Sequence, residues 1–232
     1  MKNKFSLIIF LFAIQVFVIQ KCIAQNIPDS KDYIPDDLTS NVTIKVNFHF
    51  MQHSAIDPRN FTATDDGAGD VSMNAYTYSA GMLQQVNASW ASNAAMNLPV
   101  GNSTPVLNKK IQFVLKGVYF HIDPVGYKSL NGNLAVNPES EINVFFVGKD
   151  FPASNTCADV AVFGVATTWG KYPIVEMNGH WAKYMMCFKN SNNPQATFSD
   201  GYITLAHELG HILSLSHTVR QPGGSCDCKS SA

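Results

Sequence analysis

Charged residues are scarce in this chain, at 14% of 232 residues, and lysine and arginine form no basic cluster. Proteins that bind nucleic acid or an anionic membrane surface generally carry a basic patch, so neither partner is expected. The sequence also contains no internal repeat and no low-complexity tract, which favours a single domain. With 46% hydrophobic residues, the chain has enough apolar side chains for a core.

Long apolar runs are also lacking, apart from one near the start of the chain. Phe5 to Ile19 is fifteen residues long and contains a glutamine, so it is short for a membrane span. It follows Lys2 and Lys4, and a small-residue cleavage site ends at Ala24. Residues 1–24 therefore predict a secretory signal, and we expect a secreted protein, extracellular or periplasmic, with no membrane anchor in the mature chain.

Cysteine is sparse, and none occurs between residues 25 and 41. This polar, proline-containing stretch is predicted to be a leader or the remnant of a pro-segment. Cys22 falls within the signal, after Gln20 and Lys21, where a lipid-attachment site would have small residues. The remaining four cysteines, an even number in an oxidising compartment, predict disulfides with three pairings left open: Cys157, Cys187, Cys226 and Cys228.

The rest of the chain alternates between strand and helix patterns, which predicts an α/β fold. Apolar residues at every second position predict a first strand over 42–51, and a spacing near 3.6 predicts a long helix over 76–97. Further strands are predicted at 111–121, 141–147, 160–168 and 173–177, and a loop or packed excursion at 179–193. His49 lies on the first strand, opposite Phe48 and Phe50, and is expected to be structural or exposed rather than a ligand.

The clearest chemical signal is His207-Glu208-x-x-His211, followed six residues later by His217. On a helix, His207 and His211 leave the same face about 5.4 Å apart and can share one zinc ion. Glu208 lies about 100° round the helix from His207, where it is poorly placed as a ligand but well placed as a general base.

His217 can join the two histidines only if the helix ends. Had the helix continued, His217 would lie about 9 Å further along its axis than His211, so a chain reversal is expected near Ser214. Three protein ligands would leave a fourth position for water, which is typical of a catalytic zinc site. His180, a conceivable fourth ligand, is not expected to bind because it would close that position. The alternative is a helix whose histidines have no metal to bind.

This stretch resembles the signature of the metzincin zinc peptidases, H-E-x-x-H-x-x-G-x-x-H. Thr218 after the third histidine, and the later Gly223-Gly224-Ser225-Cys226, are similar to the pappalysin-like (cytophagalysin) family, with matrixins as the second choice. The resemblance implies a metzincin-like catalytic domain over 42–232, with a mixed twisted sheet, a backing helix and an active-site helix. It also implies that an edge strand, assigned to Phe163–Thr168, binds a peptide substrate in extended form.

Two departures from the family pattern are present. Ser214 replaces the glycine that lets the chain leave the helix, and a non-glycine residue in a left-handed turn costs on the order of 1 kcal/mol. No methionine follows Met186, so the Met-turn of the family is missing. The sequence is therefore expected to be truncated before the Met-turn, with an incomplete lower subdomain.

The expected function is a secreted zinc metalloendopeptidase in which His207, His211 and His217 bind one zinc ion and Glu208 is the catalytic base. Two alternatives remain: a catalytically weak or inactive zinc-binding secreted module, and zinc-dependent hydrolysis of a non-peptide substrate. The loop over 52–73 is a candidate calcium site, because it holds Asp65, Asp66 and Asp70 among glycines. A solvated turn explains that composition equally well.

Overall fold

The structure is a computed structural model that describes residues 40–91, 110–124, 131–148, 163–189 and 199–215. These residues form a mixed α/β fold with one five-stranded sheet and a few helices. The strands and helices have the following bounds: β1 Val42–Gln52, α1 Ala75–Ala91, β2 Ile111–Ile122, β3 Ile142–Val147, β4 Phe163–Trp169, β5 Tyr172–Asn178, α2 His180–Lys183 and α3 Ser199–Ile212. Among the described residues, no helix is long and apolar enough to cross a membrane.

The predicted secondary structure is largely confirmed. All five strands and both long helices lie where the periodicity places them, with ends that shift by a few residues. Residues 92–97 of the predicted first helix and 160–162 of the predicted fourth strand lie outside the described residues. Of the two alternatives for 179–193, the packed excursion agrees with the structure: α2 continues into a π-helical turn at Tyr184–Phe188, and Trp181 and Tyr184 are buried. Residues 190–193 lie outside the described residues.

The sheet has the strand order β2-β1-β3-β5-β4. All neighbours are parallel except β4 and β5, which form an antiparallel hairpin. The two edges of the sheet are therefore β2 and β4. Strand β4 also lies beside α3, the helix that carries the histidine motif, and this places an edge strand of the described sheet next to the candidate site.

The main core lies between one face of the sheet and the two long helices. Alternate residues of β1, including Phe48 and Phe50, are fully buried there, because side chains of a strand point to opposite faces in turn. Helix α1 contributes Met82 and Val86 to this core, and α3 contributes Leu205 and Leu209. A helix buried along one stripe keeps a fixed rotation about its axis, which determines where its other residues point.

The opposite face of the sheet carries a smaller cluster of Met51, Phe145, Val147 and Ile174, against which Leu134 and Ala135 pack. Polar side chains are also buried on this face, among them Asn47, His49 and Asn143. His49 is structural, as predicted, and it is fully buried.

Candidate metal centre

His207 and His211 converge on the exposed side of α3. Their Nε2 atoms lie 3.0 Å apart, and the ring centroids are 4.5 Å apart with the rings nearly perpendicular at 87°. Two imidazoles on a tetrahedral zinc ion, with Zn–N bonds of 2.0–2.1 Å, would place their nitrogens about 3.3 Å apart. The pair is therefore close to the geometry that a shared zinc ion requires, and the four-residue spacing on a helix accounts for it.

The chain beyond α3 determines which ring nitrogen of His211 faces His207. The His211 Nδ1 atom lies 2.6 Å from the carbonyl oxygen of Leu215. Because a carbonyl can only accept, Nδ1 must carry the proton and donate, which leaves a lone pair on Nε2. Metal-binding histidines commonly donate their other N–H to a carbonyl in this way, which fixes the tautomer and the ring orientation.

The end of the helix predicted near Ser214 is confirmed, and the path of the chain to His217 lies outside the described residues. Helix α3 ends at Ile212, and Ser214 adopts φ 70°, the left-handed conformation that a helix-ending residue takes. The N–H of Leu215 donates to the Gly210 carbonyl at 3.0 Å, and the N–H of Ser214 donates to the His211 carbonyl at 2.9 Å. These two bonds define a Schellman turn, which satisfies the last carbonyls of the helix and brings the Leu215 carbonyl back to His211.

The third expected ligand, His217, lies outside the described residues. Within 40–91, 110–124, 131–148, 163–189 and 199–215, no group of three histidine, cysteine or acidic side chains could hold a metal. The described part of the site thus consists of two imidazoles and the turn that follows them. Their nitrogens are the donors that zinc prefers, so the residues present fit that ion.

Glu208, the expected base, is nearly buried between α3 and the sheet, at 7% exposure. Its Oε2 accepts the backbone N–H of Ala166 in β4 at 2.7 Å. Sequence reasoning missed this contact, because Ala166 contributes only a backbone group and stands 42 positions from Glu208. The glycine at position 164 was missed for the same reason, although it lies directly against α3.

His180 does not belong to the site. It is 4% exposed and lies beside Gly201 at the start of α3, with Phe146 packed edge-on against its ring. Burial lowers the pKa of His180 to about 3, so the ring is neutral at physiological pH. The expectation that His180 is not a ligand agrees with this position in the core.

The three aspartates of the predicted calcium loop have separate partners in the structure. Asp65 accepts the N–H of the residue two positions on, and Asp70 is bonded to Ser72. Asp66 is fully buried, and its Oδ2 lies 2.6 Å from the Nζ of Lys189, which supplies a positive charge there. Calcium binding stays a prediction.

The disulfides also stay a prediction, since Cys187 is the only cysteine among the described residues. Comparison with known proteins adds no further constraint on the site: no family model, no curated protein and no solved structure matches this chain.

Proposed function

We propose that the protein is a secreted zinc-dependent metallopeptidase of the metzincin type. The observation that carries the proposal is the histidine pair of α3, with Nε2 atoms 3.0 Å apart and one Nδ1 held by a backbone carbonyl. The four-residue spacing brings the two rings together, and the fixed tautomer places the lone pair of His211 on Nε2, the nitrogen that faces His207. The Schellman turn supports the proposal further, because it ends the helix before His217, as a third ligand at that position requires.

The fold provides a second line of support. A mixed sheet packed on α1, with α3 beside an antiparallel edge strand, is the arrangement that the metzincin resemblance implies. Strand β4 is an edge strand of the described sheet, and an extended peptide could pair with its edge-facing backbone groups other than the Ala166 N–H, which Glu208 occupies. A protein or peptide substrate fits an open strand edge, because every peptide carries the same backbone donors and acceptors.

The proposed residue roles follow from these positions. His207, His211 and His217 would hold the zinc ion, which when bound polarises the scissile carbonyl and makes water a better nucleophile. Glu208 takes the proton of the attacking water and later delivers it to the leaving amine. The nearly buried position of Glu208 keeps the carboxylate in place, since few alternative rotamers are open to it.

The test is metal content combined with peptidase activity on a broad peptide library. The purified protein should bind one zinc ion, and turnover should be lost with a chelator and restored by zinc. The variant His207→Ala should lose both zinc and turnover. A protein that binds zinc but shows no turnover would contradict the peptidase and favour a binding module, and unchanged zinc content in His207→Ala would contradict the site itself.

A further inference from the structure

The contact between Glu208 and strand β4 depends on an unusually close approach of α3 to the sheet. A Cβ atom built on Gly164 would lie 2.6 Å from Cγ of Glu208 and 2.8 Å from Cγ2 of Thr204. Both distances are well below van der Waals contact, so any larger residue at position 164 would displace α3 or Glu208. Glycine at this position therefore sets the spacing between the base and the strand.

The register of the β4–β5 hairpin shows why the Ala166 N–H is available to Glu208. The two strands are joined by a two-residue loop, Gly170-Lys171, with Trp169 opposite Tyr172. In such a hairpin the residues that flank the loop are a hydrogen-bonded pair, and the pairs then alternate along the ladder. Ala166 and Val175 are consequently a non-hydrogen-bonded pair, and the N–H of Ala166 points away from β5.

Pro173 supports this register independently. It stands opposite Thr168, two positions from the Ala166 pair, and proline has no N–H to give to a ladder. A proline at that position is tolerated because this pair exchanges no N–H bonds. Ala166 lies two positions from Thr168, so it also belongs to a non-hydrogen-bonded pair. Its N–H and carbonyl therefore face the edge of the sheet, where Glu208 accepts the N–H.

We infer that Gly164 and the backbone N–H of Ala166 act together as a positioning device for the base. Gly164 admits Glu208 to the strand, and the Ala166 N–H holds Oε2, so that Oε1 is the oxygen that takes the proton of water. This inference rests on the proposed function, since it assigns the positioning groups of that same site. It also links the strand expected to receive the peptide directly to the group that takes the proton.

The first test measures hydrogen exchange at single amides by NMR, in the full chain without metal. The Ala166 amide points away from the ladder, and among the described residues its hydrogen-bond acceptor is Glu208. Its exchange should therefore accelerate roughly tenfold or more in Glu208→Ala and in Gly164→Val. The Thr167 amide, which faces β5, should stay protected in every variant and report that the hairpin is intact. An Ala166 amide that exchanges equally fast in the parent and in Glu208→Ala would overturn the inference.

The second test measures turnover of Gly164→Ala with zinc bound. A misplaced base should lower kcat about 10–100-fold, the usual effect of losing an outer-shell partner, while KM and zinc content stay near those of the parent. Val114→Ala, an exposed position on the opposite edge strand β2, is the control and should have the kcat of the parent. Full kcat in Gly164→Ala would overturn the inference. Absence of turnover in the parent would count against the proposed function alone, and the exchange measurement would still decide the placement of Glu208.

Discussion

The protein contains two pairs of histidines whose ring nitrogens are almost equally close. His207 and His211 on α3 have Nε2 atoms 3.0 Å apart, and Nδ1 of His49 on β1 lies 2.9 Å from Nε2 of His121 on β2. In each pair, a ring nitrogen outside the contact is bonded to a carbonyl oxygen: His211 to Leu215, and His49 to the side chain of Asn143. By distance alone, the two pairs look alike.

Their surroundings separate them. His49 is fully buried and its ring stacks on those of Tyr119 and Phe145, whereas His207 is exposed at the surface of α3. The His49 N–H donates to Asn143, so its other nitrogen accepts from His121, and the contact is an ordinary hydrogen bond within the sheet. The α3 pair has a carboxylate next to it in sequence and a chain reversal after it. A short distance between imidazoles therefore does not by itself indicate a metal site, and the proposal for the α3 pair rests also on its solvent access and on the neighbouring carboxylate.

The largest expected effect is a loss of turnover when the carboxylate of Glu208, which distinguishes the α3 pair, is removed. Glu208→Gln keeps the size of the side chain and an oxygen for the Ala166 N–H, but it removes the proton acceptor. We expect zinc content to be unchanged and kcat to fall by roughly 10²–10⁴-fold, the usual contribution of general base catalysis. Steady-state kinetics and metal analysis of the same preparation measure both quantities, and turnover that survives the substitution would contradict the assigned role.

The second-largest expected effect is a change in the free energy of unfolding with pH, and it comes from the buried histidines His49 and His180. Burial lowers the pKa of His49 to about 4 and that of His180 to about 3, whereas both titrate near 6.5 in the unfolded chain. Between pH 6.5 and 4 the unfolded state therefore binds more protons, so the free energy of unfolding should fall as the pH is lowered through this window. His49 alone would account for about 3 kcal/mol.

Urea unfolding of the metal-free chain at several pH values checks this prediction. A free energy of unfolding that is constant between pH 6.5 and 4 would contradict the burial of His49 and His180.

A smaller effect compares the two pairs as metal ligands. His211→Ala should weaken zinc binding at least tenfold, since ligand and outer-shell changes typically cost 10–100-fold in affinity. His121→Ala removes one member of the other pair and should leave zinc affinity within about twofold of that of the parent, because that pair forms a hydrogen bond within the sheet. Competition titration with a chromogenic chelator measures both variants, and equal losses in the two would mean that the pairs are not functionally distinct.

The smallest effect concerns the turn after α3. Ser214 adopts φ 70°, which is unfavourable for a residue with a Cβ, and Ser214→Gly removes that strain. The gain is partly offset by the greater freedom of glycine in the unfolded chain, so we expect stabilisation of at most about 1 kcal/mol. Thermal unfolding of the metal-free variant measures it, and a destabilised Ser214→Gly would show that the serine side chain contributes more than its backbone strain costs.

The secondary structure and the contact between His207 and His211 were predictable because they depend on neighbours in sequence. Alternation in β1 and the helical spacing in α1 and α3 are local patterns, and the Nε2 contact of His207 and His211 follows from a spacing of four residues. The reversal at Ser214 was predicted from the need to bring His217 back. The helical segment over 180–188 was not, since its aromatic residues show no clear period and pack according to their surroundings.

The sequence by itself determined the residue types of the site and the helix that carries the histidine pair. Tertiary structure decided which groups meet across long separations: Glu208 with the N–H of Ala166, His49 with His121, and Asp66 with Lys189. It also decided that His49 is buried and His207 is exposed. The physical reason is that local patterns set which face of an element is apolar, while strand order and register set which elements become neighbours. Gly164 illustrates this division, because its role appears only once α3 packs against the edge of the sheet.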